Sequence, residues 1–137
     1  MRFIIICTYL LLAFSCSTRK SNSNGPIVLN GSWTPVKQEI AGKELPPAMF
    51  QNQKLVINDS TYKFTAESVD KGIITFKNGK MDIFGKEGVN AGKHFTAIYK
   101  LDNGQLTICY NLRGDTYPVA FETKSSPALF LSSFKKD

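Results

Sequence analysis

Cys109 and His94 are the side chains best suited to nucleophilic or acid–base work, and their spacing decides whether the chain can do such chemistry. The sequence holds three cysteines and a single histidine. A working thiolate needs a histidine, a cation or a helix N-terminus close by. Cys109 lies in Leu106-Thr107-Ile108-Cys109-Tyr110, whose alternation is that of a strand. If this stretch folds back on Phe95–Leu101 through Asn103-Gly104, His94 falls opposite Arg113, four residues beyond Cys109. At ~3.4 Å per residue the two side chains stand on the order of 13 Å apart, too far for a dyad. Cys109 is therefore expected to be structural, a small half-buried apolar side chain.

Other chemistries also fail on spacing. The run from Gly85 to Lys93, GKEGVNAGK, invites a phosphate-loop reading. Its required glycine would fall at Glu87, and His94 follows the lysine where serine or threonine should stand. It reads instead as a mobile loop between strands. One histidine and one thiol in the folded part leave no set of zinc ligands. Asp82, Asp102 and Asp115 are turn-linked or outward, so nothing groups them as an acid–base pair, and no Ser/His/Asp set can be assembled. The expectation is a protein without catalytic residues, metal or cofactor. The formal charge is +6, but the lysines are scattered singly, with Lys135-Lys136 the only close pair in the folded part. A nucleic-acid binder would cluster them among aromatics. Single lysines instead keep the outward faces of a β-protein in water, and no nucleic-acid partner is expected.

The elements that must position these residues are strands. Strand signals recur every 8–12 residues over 32–40, 54–58, 61–67, 72–77, 80–84, 94–101, 105–112, 117–123 and 128–135. One short helical piece is expected over 46–53, PPAMFQNQ, with Pro47 at its first turn. Asn103-Gly104 is a two-residue hairpin signal, because both positions need positive φ. It pairs Leu101 with Leu106, Tyr99 with Ile108 and Ala97 with Tyr110. Asn78-Gly79 likewise pairs Phe76 with Met81 and Ile74 with Ile83. Asp59-Ser60, a weaker turn because serine resists positive φ, pairs Ile57 with Tyr62 and Leu55 with Phe64. Three hairpins each sort into one apolar face and one mostly polar face, and a one-residue slip would mix the faces. The expected fold is all-β: an up-and-down antiparallel barrel of about eight strands with one short helix.

Residues 1–15 read as a secretion signal. Arg2 is followed by an apolar run from Phe3 to Phe14, too short to span a bilayer. Leu12-Ala13-Phe14-Ser15-Cys16 resembles the lipobox of bacterial lipoproteins, which implies cleavage before Cys16, a thioether at its sulfur and acyl chains such as palmitate on the modified residue. An ordinary secretion signal cut nearby, or an uncleaved anchor, remains the alternative. Residues 17–26, STRKSNSNGP, have the composition of a flexible tether. The domain itself is expected over 27–137. Ser17 follows the cysteine, and Arg19 and Lys20 are basic, which favours a lipid anchor on the periplasmic face of a bacterial outer membrane.

Several stretches together resemble a known family. Leu29-Asn30-Gly31-Ser32-Trp33 opens the first strand, and Gly42-Lys43-Glu44-Leu45-Pro46 follows. Ala97-Ile98-Tyr99-Lys100-Leu101, Leu106-Thr107-Ile108-Cys109 and Pro118 to Phe121 come later. In order and spacing they resemble a small lipocalin-like domain family first described as an uncharacterised planctomycete domain. Tyr117 stands where that family usually has arginine. The resemblance spans Leu29 to Lys136 and implies a barrel of about eight strands with no established activity. Such a barrel either packs its interior or holds one small ligand. The candidate lining is Trp33, Tyr62, Phe64, Phe76, Met81, Phe95, Tyr99, Ile108 and Tyr110, whose phenols would serve as polar handles in an apolar space. Two functions follow: an envelope lipoprotein binding a small apolar molecule such as a fatty acid, or a packed barrel that binds an envelope protein as inhibitor or assembly factor.

Overall fold

The computed structural model describes residues 29–137; the expected signal, Cys16 and the tether fall outside the described residues. Nine strands follow in order: β1 (Gly31–Ile40), β2 (Lys43–Glu44), β3 (Lys54–Asn58), β4 (Thr61–Thr65), β5 (Val69–Lys77), β6 (Lys80–Glu87), β7 (His94–Asp102), β8 (Gln105–Asn111) and β9 (Leu129–Lys136). The expected helical piece is a single 3₁₀ turn at Pro47–Met49. From β3 onward each strand pairs antiparallel with the next, and β1 closes the ring between β3 and β9. The result is an eight-stranded, lipocalin-like up-and-down barrel, with β2 a two-residue extension of the β1 hairpin. Closure gives each of the eight main strands a partner on both sides. Among the described residues the nine strands close on one another around one core.

The three tight bends set the register that the sequence implies. Tyr99 pairs with Ile108, Ile74 with Ile83 and Ile57 with Tyr62. Asn103-Gly104 and Asn78-Gly79 take positive φ at both residues. At the third bend only Asp59 does, so Ser60 escapes the penalty. Asn30 braces that bend: its Oδ1 accepts from Asp59 N–H at 2.7 Å, and its Nδ2 donates to Asp59 Oδ1 at 2.8 Å. A meander puts alternate connections at the same end. All three tight bends therefore lie at one end, and the longer connections, 88–93 and 112–128 among them, lie at the other.

Two irregularities let the sheet curl. Pro35 has no N–H for the ladder, and the β1–β9 register shifts between Pro35 and Lys37. This bulge bends β1 so that it serves both neighbours. On the opposite wall Gly72 faces Gly85. A Cβ on Gly72 would sit 2.0 Å from the Phe84 carbonyl oxygen and 2.8 Å from the Tyr62 ring. The missing side chain lets β6 and the Tyr62 ring close on β5.

The structure corrects one expected strand. Residues 117–123 pair with no strand; 112–128 form an irregular strap whose bonds reach β6, β7, β8 and β1. The reason is closure, because β8 is already paired on both edges. Side chains take over the bonding. Thr96 Oγ1 donates to Thr116 O (2.5 Å), and Asn111 Nδ2 donates to the same oxygen (2.9 Å). Thr123 Oγ1 donates to Glu39 Oε1 (2.6 Å) and accepts from Gly42 N–H (2.8 Å).

Candidate functional site

The barrel interior is solid at one end and hollow at the other. At the tight-bend end Trp33, Ile57, Met81, Leu106 and Phe134 are almost wholly buried. Above them lies a cavity of about 520 Å³. Its lining runs from Ile108, 1% exposed, to Leu112, 43% exposed, and to exposed Lys93 in the β6–β7 loop. It therefore opens at the end that carries the long connections. Its volume is that of a small-molecule site.

Five of the sequence-derived lining residues border this space: Tyr62, Phe64, Phe95, Ile108 and Tyr110. Four do not, which corrects the expected lining. Trp33 donates its indole N–H to Leu29 O at 2.9 Å, with Lys136 Nζ 5.5 Å from its ring centre. Phe76 meets Tyr99 edge-on at 5.7 Å, and Met81 is sealed. These four side chains form the plug beneath the cavity. Strand alternation separates inward from outward residues, but it says nothing about depth along the barrel axis.

The polar part of the lining escaped the sequence reading. Asp70 is buried because β5 begins at Val69 rather than at Gly72, which puts Asp70, Gly72 and Ile74 on the inner face. Its period-two spacing from Ile74 was the available signal. Both Asp70 oxygens accept from Asn90, one from the backbone N–H (3.0 Å) and one from Nδ2 (3.1 Å). Lys93 Nζ lies 3.3 Å from Asn90 Oδ1. This relay fastens the β6–β7 loop at the mouth. On the facing wall Gln38 Nε2 donates to Gln53 Oε1 at 2.6 Å and lies 3.4 Å from Ser132 Oγ. Gln38 was hidden by the Pro35 bulge, which breaks the alternation of β1.

Burial pushes the Tyr110 phenol up, with Tyr62 and Cys109 adding to the effect. The Tyr62 phenol rises for the same first cause, and the Asp70 charge reinforces it. Both remain neutral hydrogen-bonding groups at neutral pH. The ring of Tyr110 stacks on Phe130, with centroids 5.8 Å apart.

A second cluster lies on the outer face. His94 Nε2 is 2.7 Å from Asp82 Oδ1, and the Tyr117 hydroxyl donates to Asp82 Oδ2 at 2.6 Å. The sequence reading places Asp82 and His94 outward but does not pair them. The β6–β7 register that brings them together is set by the 88–93 loop, not by a tight bend. The Tyr117 hydrogen bond holds the Asp82 carboxyl below its usual range, with His94 assisting. The cluster joins the strap to the barrel wall: Tyr117 belongs to the strap, Asp82 to β6 and His94 to β7.

Cys109 is fully buried, not half-buried, because the strap covers it. Burial pushes its thiol up to about 11, so it stays protonated at neutral pH. Among the described residues no three His, Cys, Asp or Glu side chains converge as metal ligands. Set against protein-family models, curated proteins and solved structures, the chain matches none.

Proposed function

We propose that this protein is a membrane-tethered binding protein that carries a small, largely apolar molecule in its barrel. The observation that carries the reading is the cavity: about 520 Å³, walled by Leu55, Ile74, Ile83, Phe95 and Ile108, and open at one end. The lipocalin-like resemblance and the lipobox-like Cys16 support a bacterial envelope lipoprotein. Two or more acyl chains on such a cysteine give stable anchoring, at ~0.8 kcal/mol per buried methylene. The role is binding, not catalysis.

A magnitude limits what apolar contact can do here. Ten buried methylenes contribute about 8 kcal/mol. Association and ordering remove about 4 kcal/mol or more. The remainder corresponds to roughly millimolar affinity, so polar handles must supply the rest.

The test is direct. Protein from Gly25 onward, purified without detergent, should yield an extractable lipid and a matching mass increment in native mass spectrometry. A ligand-free barrel that takes up no apolar probe would overturn the reading. A stoichiometric envelope protein without lipid would favour the interaction module instead. Cys109→Ala and His94→Ala should leave binding unchanged.

A further inference from the structure

One acidic and one basic side chain border the cavity, Asp70 and Lys93. Lys93 stands exposed at the mouth, beside Asn90. Asp70 is 5% exposed, and both its oxygens already accept from Asn90. A ligand carboxylate or phosphate drawn past the mouth would lose its water without gaining a cation, and would do so in a space that Asp70 already makes negative. An ammonium group would have to pass Lys93 and displace the bonds that fasten the β6–β7 loop.

The facing wall offers a neutral pair instead. The Met49 carbonyl can only accept, so Gln53 presents Nε2 to it at 3.2 Å. That leaves Gln53 Oε1 to accept from Gln38 Nε2 and fixes the Gln38 amide. Gln38 Oε1 then has no donor among the described residues, although Gln38 is only 2% exposed. No partnerless side-chain oxygen among them is sealed from a probe, so Gln38 Oε1 keeps an opening, and the space beside Gln38 is the cavity. Ser132 Oγ is 3.4 Å from Gln38 Nε2, and its hydroxyl hydrogen is free to turn toward the same space.

We propose that Gln38 and Ser132 form a subsite for an uncharged hydroxyl group, so that the cavity selects neutral apolar alcohols over fatty-acid anions. The ligand hydroxyl donates to Gln38 Oε1, and its oxygen accepts from Ser132 Oγ–H. Apolar atoms then fill the space between Leu55, Ile74, Ile83 and Ile108. This inference rests on the container reading and names the chemistry of its ligand.

The test uses the chain from Gly25, titrated calorimetrically at pH 8 with n-decanol and with n-decanoate. Decanol should bind about tenfold or more tightly than decanoate. Ser132→Ala and Gln38→Leu should each weaken decanol by about five- to tenfold, the worth of one hydrogen bond, and leave decanoate unchanged. Ser132→Ala removes a single oxygen, so it keeps the test valid if Gln38→Leu fails to fold. Decanoate binding as tightly as decanol, or decanol binding unchanged in Ser132→Ala, overturns the subsite and leaves the container standing. Binding of neither probe overturns both.

Discussion

Cys109 shows how one residue's role depends on what covers it. Its neighbours in sequence identify a wall residue, and they gave no sign that a distant segment would seal it. The thiol is raised from 9.0 to about 11 by burial. A group whose folded value is raised contributes stability that is complete below its unfolded value and fades as pH rises. Cys109 should therefore cost the fold about 2 kcal/mol between about pH 9 and pH 11. Urea melts across that window should show a shallower alkaline decline for Cys109→Ala than for the parent. Asp82 has the opposite sign. Its folded value is depressed by Tyr117 and His94, so its contribution is present above its unfolded value and disappears as pH falls through the folded one. Asp82→Asn should speed hydrogen exchange in the strap at pH 7 and spare amides of β3 and β4; uniform exchange would sink the fastening role.

At the level of elements, the legible parts are those whose register is set locally. A two-residue bend leaves one pairing, and the alternation beyond it confirms that pairing across three hairpins. The strap and the β6–β7 pairing were not legible because long connections set them. Pro118-Val119-Ala120-Phe121 alternates enough to resemble a strand, yet the closed ring has no edge for it. Two glycines test the elements. Gly114 sits at φ +69, and a Cβ there would lie 2.2 Å from His94 O. Gly114→Ala should loosen the strap and leave the barrel closed, which limited proteolysis can read as a cut between 112 and 128 alone. Gly72→Ala places a methyl against the backbone of β6, where nothing flexible can yield. It should cost more than about 3 kcal/mol or prevent folding; a wild-type melting temperature would refute the close approach.

The whole molecule divides into a dense half and a hollow half, and mutations should respect the division. Met81→Ala in the plug should cost about 2–5 kcal/mol, yet leave apolar-probe affinity intact in the folded fraction. Ile108→Phe should fill part of the cavity and abolish probe uptake at little cost in melting temperature. The reverse pattern would mean that the hollow is not where the ligand sits. The sequence showed that the interior is apolar and aromatic, and it identified Tyr62, Phe64, Phe95, Ile108 and Tyr110. It did not show Asp70 or Gln38, because a late strand start and a bulge hid their inward orientation. It also could not rank residues by depth, since alternation is identical at the plug and at the mouth.

Leu29, the first described residue, is bonded to Trp33, and Asp137 donates its backbone N–H to Ser32 O. Leu29 and Asp137 therefore both lie beside the dense floor, opposite the opening. Held at residue 29 or at residue 137, the barrel stands like a goblet on its stem. The opening then faces away from the support.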